Sequence, residues 1–304
     1  MAATIYDIAA KAGVSASTVS RALRGDPRIG EKTMALVRKY ADELEYIPNA
    51  TARSLLAGQS KLFGLLLPSL IHQIELEPSM SLSRLARQAG FDLMITLYHH
   101  HADAYERMLE RLAMLRVDGI FVLPPARENH SPMVERLVRR HLPLVFIDRS
   151  PCEADGRTTT VSSDNETGAR RIGEAAVAVG ADTVITCFAD VNSVLHARRR
   201  GIADFLRPLR PDSRKVFLVG AYDAPVLAEA ARLREKNPGL RFSAGVFDAW
   251  NSDLSGFEEI FVMPQNFSGM TESALDIMLK MLAAPQAEFP RHLQLPAMEL
   301  VRIK

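Results

Sequence analysis

The chain has 304 residues, 47% of them hydrophobic and 24% charged, and its 37 Lys and Arg against 36 Asp and Glu leave a net charge of +1, which by itself argues neither for nor against nucleic acid. That length can bury a sizeable core and suggests two or three folding units, while Cys152 and Cys187 are too few for a disulfide framework or a cysteine-rich zinc site, so a reducing cytoplasm is the expected setting. No charged start followed by an apolar stretch marks a signal peptide and no apolar run is long enough to span a bilayer, so no membrane partner is expected.

Residues Thr4 to Leu23 predict two short helices around a tight turn. Thr4 is placed to cap the first, with Asp7 three residues on, and Ile5, Ile8, Ala9 and Ala12 share one face. Gly13 breaks this helix and Ser15 caps the next, in which Val19, Ala22 and Leu23 point inward while Ala16, Ser17, Thr18, Ser20, Arg21 and Arg24 stay outside. This is a helix-turn-helix pattern, whose second helix enters the DNA major groove; an ordinary helical hairpin is the alternative for the pattern alone. A third helix, roughly Glu31 to Glu45, carries Leu36, Val37, Tyr40, Ala41 and Leu44 on one face and would close a three-helix core. Between Lys11 and Lys39 stand seven Lys and Arg against two Asp and Glu, a local surplus that suits phosphate contacts.

Tyr46 to Gly58 reads YIPNATARSLLAG. Asn49 is a good N-cap and Gly58 a good stop, but the helix between them is too short to be stable alone in water, so it needs a partner. The run DIAAKAGVSASTVSRAL followed by YIPNATARSL resembles the lactose/galactose repressor family of bacterial helix-turn-helix transcription regulators. The resemblance extends, with gaps, to the C-terminus. It implies a homodimer on double-stranded operator DNA, with Ala16, Ser17 and Arg21 at base-reading positions. Arg21 has the geometry for a bidentate contact to guanine, with a phosphate contact as the alternative, and Thr18 and Ser20 suit phosphates. It also implies that hinge helices from two copies pack together in the minor groove, with Leu55 the wedge between base pairs and Asn49, Ala52 and Leu56 around it. A plain interdomain linker is the alternative for this segment.

From Lys61 the rhythm changes. Apolar runs at Leu62 to Leu67, Leu93 to Leu97, Gly119 to Leu123, Leu144 to Ile147, Thr183 to Phe188, Val216 to Val219, Phe242 to Phe247 and Ile260 to Met263 predict strands. Amphipathic stretches at Tyr105 to Leu115, Met133 to Arg140, Thr167 to Val179 and Val226 to Arg234 predict helices between them. Such alternation implies parallel sheets covered on both faces, and eight or so strands suit two lobes, as in periplasmic sugar-binding proteins. The expected fold is thus an all-α helix-turn-helix domain over residues 1–48, a hinge helix and linker over 49–60, and a two-lobed, periplasmic-binding-protein-like α/β domain over 61–304.

Ligands of open parallel sheets sit beyond the carboxyl ends of the strands. Asp148 and Arg149, Asp190, Asp223 and Asp248 follow predicted strands and Asp164 follows Thr160-Val161; Asp164 and Asp190 are better explained as helix caps. By the resemblance, Asp148 and Arg198 match ligand-contacting positions, with Asp223 and Asp248 next in order, and the ligand would be a small polar metabolite such as a sugar or sugar phosphate. The chain also departs from the family. His72 to Pro78, reading HQIELEP, replaces the usual Asn-Pro-Phe-Phe, and Phe247 stands where an Asn normally precedes the Asp. About a dozen residues separate Asp248 from the strand at Ile260, where family members fit a further helix and strand, so the domain is expected to be shortened. All three changes touch the cleft, which leaves open a regulator whose C-terminal domain only dimerises.

No hydrolase, metalloprotease, phosphate-loop or dinucleotide motif is present, so neither an enzyme nor a cofactor is expected. His99, His100 and His101 with Asp103 read as a solvent-facing loop rather than a metal site, because consecutive histidines cannot easily face one ion. The sequence therefore points to a cytoplasmic, operator-binding transcription regulator, a repressor being the commonest type in the family it resembles; a small-molecule binding module without DNA binding is the rival.

Overall fold

The computed structural model describes residues 3–47, 58–126, 130–150, 158–189, 191–248 and 253–304. They fall into two compact units, Met1–Ser60 and Lys61–Lys304.

The first unit holds α1 (Ile5–Ala12), α2 (Ala16–Leu23) and α3 (Glu31–Glu43). The Thr4 amide and hydroxyl both donate to Asp7 Oδ2, at 2.8 and 2.7 Å, so the first turn of α1 is tied to its own cap. Gly13 ends α1 at φ 64°, a left-handed conformation glycine adopts without a Cβ clash, and the chain then turns into Ser15, whose Oγ accepts from the Thr18 amide at 3.1 Å. Ile8, Ala9, Val19, Ala22, Val37 and Ala41 form the buried core. Three expectations need correction. Helix α3 ends at Glu43, since Glu45 turns left-handed at φ 47°. Leu36, expected inside, is 38% exposed, because it lies about 100° round the helix from Val37 and so beyond the buried stripe. Ala16, expected outside, is half-buried and packs against this core.

The second unit is built on two sheets. The first lobe has six parallel strands in the order β10-β5-β4-β3-β1-β2, formed by β1 (Leu62–Leu67), β2 (Asp92–Leu97), β3 (Gly119–Val122), β4 (Leu144–Ile147), β5 (Thr158–Ser163) and β10 (His292–Leu295). The second has the order β11-β9-β8-β7-β6, with β6 (Thr183–Thr186), β7 (Lys215–Tyr222), β8 (Arg241–Asp248) and β9 (Ile260–Val262) parallel and β11 (Val301–Arg302) antiparallel at the edge. Helices α4 (Gln73–Gln88), α5 (Ala102–Met114), α6 (Pro132–Arg139) and α10 (Phe267–Ala283) pack on the first sheet, and α7 (Asn165–Ala178), α8 (Ser193–Ile202) and α9 (Asp223–Lys236) belong to the second lobe. Burial on both faces explains the unbroken apolar runs: Phe63, Leu65 and Leu67 of β1 pack into one cluster and Leu66 into another.

The chain passes between the lobes after β5, before α10 and between β10 and β11. These passages are tied together, since the Asp164 amide donates to the Leu295 carbonyl at 2.8 Å and the Asn266 amide to Ser163 Oγ at 3.3 Å. On the second lobe, β9 lies directly beside β8, and residues 253–259 of their connection contain no helix. Leu254 and Phe257 of that connection plug the sheet face, and Lys304 Nζ holds it by donating to the Ser255 and Phe257 carbonyls, both at 2.6 Å. Gly201 on α8 marks a close helix approach, because a Cβ there would collide with the Glu166 carbonyl on α7. Among the described residues no helix is long and apolar enough to cross a membrane.

Candidate functional site

Two regions gather the candidate residues. On α2, Ser17 and Arg21 are exposed, as is Arg24, while Thr18 and Ser20 are half-buried. Ser15 Oγ lies 2.8 Å from Ser17 Oγ and 2.9 Å from Thr18 Oγ1, so the hydroxyls at the start of the helix form one small network beside its amide-rich end, a setting that suits an anion such as a phosphate. Arg24 Nε donates to the Ser20 carbonyl at 3.1 Å. Part of the local positive surplus is internally paired: Arg28 grips Asp26 at 2.9 and 2.7 Å and holds its carboxyl well below the usual range, and Lys11 and Lys39 both approach Glu43. Ala16, half-buried against the core, offers less surface for base reading than its position in the sequence suggested. Asn49, Ala52, Leu55 and Leu56 lie outside the described residues, as does Asp190.

The second region is a cavity of about 330 Å³ where strand ends of both sheets converge, as parallel α/β architecture favours. From the first lobe come Pro68 after β1, Tyr98 after β2, Pro124 after β3, and Asp148 and Arg149 after β4; from the second come Asn192, Arg198, Tyr222 and Asp248. Three of the four expected ligand-site residues, Asp148, Arg198 and Asp248, therefore line one cavity. Asp223 does not. It is the first residue of α9 and buried, where a carboxylate complements the positive end of the helix, and its neighbour Tyr222 faces the cavity instead. Asp164 caps α7 as expected, accepting from the Thr167 amide at 3.0 Å.

Arg198 is 3% exposed, with Nε donating to Asn165 Oδ1 at 2.8 Å and the guanidinium carbon 3.7 Å from the centre of the Phe247 ring. Phe247, noted as a departure in the sequence, thus serves as the platform for this cation. Burial pulls the Arg198 pKa down to about 10, against the opposing influence of Asp248 and Asp148, so it stays charged at neutral pH. Asp148 adopts φ 72°, a left-handed conformation in which Asp is tolerated, and its Oδ2 accepts from Arg149 Nε at 3.1 Å. Asp148 Oδ1 is buried with no hydrogen-bond partner. Asp248 accepts from Gln265 Nε2 at 3.1 Å, and burial pushes its carboxyl from 3.8 up to about 6, with Asp148 adding to the rise and Arg198 and Gln265 opposing it.

Some cavity residues were not legible as such. Glu75, part of the segment that departs from the family, lines the cavity from the first turn of α4 and is 2% exposed. His100, expected in a solvent-facing loop, also borders the cavity. Among the described residues no group of three or more His, Cys, Asp or Glu is arranged to hold a metal ion.

The raised Asp248 carboxyl makes stability depend on pH in a defined sense. Its contribution is fully present below about 3.8 and is lost as pH rises through about 6, a change of up to roughly 3 kcal/mol. Denaturant unfolding of Asp248→Asn and its parent at pH 4 and pH 7 will show the variant gaining on the parent by that order at the higher pH. Parallel pH dependences would remove the assignment.

Comparison with known proteins follows the same division. Residues 4–49 match the family described as bacterial regulatory proteins, lacI family. The HTH-type transcriptional regulator PtxS of Pseudomonas aeruginosa is 27% identical over 227 residues, 73% of this chain and 59% of that protein. The catabolite repressor/activator of Escherichia coli (strain K12) is 32% identical over 163 residues, 53% of this chain and 48% of that protein. The matched stretches thus span about half the length of these relatives. In three dimensions the chain is similar to the lac repressor dimer bound to operator and the anti-inducer ONPF, with a TM-score of 0.76 at 20% identity, covering 99% of this chain and 98% of that one. Residues 4–49 thus match the lacI family of bacterial regulatory proteins, and the chain as a whole has a fold similar to that of the lac repressor.

Proposed function

We propose that this protein is a sequence-specific DNA-binding transcription regulator, a repressor, that binds a palindromic operator as a homodimer in the cytoplasm and answers to a small polar metabolite held in the cavity. The observation that carries this reading is the outer face of α2, where Ser17 and Arg21 stand exposed on a lacI-family helix-turn-helix. The names of the relatives, a transcriptional regulator and a repressor/activator, support it, as does the operator-bound dimer of the lac repressor.

In this account residues 1–48 read the operator, 49–60 form a hinge that orders when two copies meet in the minor groove, and 61–304, shortened relative to the family, dimerise and bind ligand. Leu55 is the wedge, flanked by Ala52 and Leu56, with Asn49 opening the helix; unstacking is offset by the added contact area. Ala16, Ser17 and Arg21 face bases, and Thr18 and Ser20 face phosphates. A ligand changes operator affinity only through unequal affinity for two lobe placements. The cavity suits that task because Asp148 comes from one lobe and Arg198 and Asp248 from the other.

Selection from a pool of random duplexes tests the proposal: it predicts enrichment of one two-fold symmetric site, and recovery of no consensus would refute it. Arg21→Ala should cost about 1–3 kcal/mol on that site and relax base preference at one position of each half-site. An unchanged consensus would take Arg21 out of the base-reading set. Leu55→Ala should weaken the selected site by about tenfold or more while leaving affinity for random duplex nearly unchanged. Equal losses on both duplexes would contradict a wedge.

A further inference from the structure

The protein's own side chains already occupy part of the cavity's anion-binding elements. Two helices begin at its edge, α4 and α8, and free amides at a helix start are a ready anion site. At α4, Glu75 places a carboxylate at the helix start, where its Oε2 accepts from the amides of Ile71 and of the N-cap His72 at 3.1 and 3.0 Å and from Ser69 Oγ at 2.6 Å. At α8 the Leu195 amide donates to Asn192 Oδ1 at 3.0 Å. The two guanidiniums of the cavity are engaged as well, Arg149 with Asp148 and Arg198 with Asn165 and the Phe247 ring.

What stands unfilled is an acceptor. Asp148 is 2% exposed, lines the cavity, and its Oδ1 has no partner, so a ligand that supplies a donor there recovers the cost of burying that oxygen. An anionic ligand would instead meet three carboxylates, Glu75, Asp148 and Asp248, and would have to compete with them for Arg149 and Arg198. The volume, about 330 Å³, is at the small end of ligand pockets.

We infer that the cavity selects a small polyhydroxylated ligand, neutral or amine-bearing, and rejects phosphorylated ones, with Glu75 and Asp148 as the residues that set this preference. The inference rests on the cavity being the ligand site. It separates the two metabolite classes, sugar and sugar phosphate, that the sequence left together.

The test is a thermal-shift and calorimetric panel on the whole chain, using glucose, galactose, fructose, ribose, glucosamine and galactosamine with the phosphate esters of all six. The expected result is that at least one neutral or amino sugar raises the melting temperature and binds about tenfold or more tighter than its phosphate ester. A phosphate ester that binds as tightly as its parent sugar, or tighter, overturns the inference and keeps the ligand site. Stabilisation by no member of the panel overturns the ligand-site reading, and the inference with it. Two variants locate the preference. Asp148→Asn, tolerated at a left-handed position, should cut affinity for the best sugar by about tenfold, and Glu75→Gln should narrow the gap between sugar and phosphate ester. Wild-type affinities and the wild-type gap in both variants would remove these residues from the role.

Discussion

A guanidinium out of water dominates the second unit. Arg198, 3% exposed, has to be compensated, since an unpaired buried charge costs several kcal/mol. The fold meets that demand from several directions: Asn165 accepts from its Nε, the centre of the Phe247 ring lies 3.7 Å from its guanidinium carbon, and Asp148 and Asp248 supply opposite charge. Because Asp148 follows a first-lobe strand and Asp248 ends a second-lobe strand, the compensation of one cation depends on where both lobes stand. Asp248 bears the cost on its side, as its raised carboxyl records. A cavity wall made of such interdependent charges is sensitive to any donor placed within it, and in the proposed function this is how a small ligand would be coupled to lobe placement.

The N-terminal unit rests on a different kind of interaction. It is small, and among the described residues its core is six buried side chains, so short-range contacts carry much of its definition. Thr4 with Asp7, Gly13 at positive φ and Ser15 with Thr18 set the start and stop of α1 and the start of α2. Once those ends are fixed, Val19 and Ala22 face the core and Ser17, Arg21 and Arg24 are turned outward. The outward face is therefore a consequence of capping and packing.

The legible parts of the fold are those whose signal is local or repetitive. The turn between α1 and α2 follows from Gly13 and Ser15, and the central strands follow from apolar runs buried on both faces. Helix α4 escaped because Pro78 lies inside it and Glu75, a charged residue, is buried on its inner side, which breaks both the helical pattern and the apolar stripe. Helix α10, absent from the predicted helices, does carry the periodic signal: Phe267, Met270, Ala274, Ile277 and Met281 are buried on one face, with Ser268, Glu272, Asp276 and Lys280 exposed on the other. Strand β10, reading HLQL, has no buried run to announce it. At the cavity, Asp148, Arg198 and Asp248 were accessible from sequence because they follow strands or match a family pattern. Asp223 was not separable from them, since a carboxylate after a strand can turn toward a ligand or toward its own helix. Glu75 and His100 reach the cavity only through the placement of whole elements, which no local spacing encodes.

The central claim is that the outward face of α2 meets nucleic acid, and the salt dependence of duplex affinity measures it most directly. Titrating the 304-residue chain against duplex DNA at about 50 and about 200 mM salt should show affinity falling on the order of a thousandfold, as counterions released by phosphate contacts require. Affinity that is absent at low salt, or that does not change between the two conditions, would contradict the account.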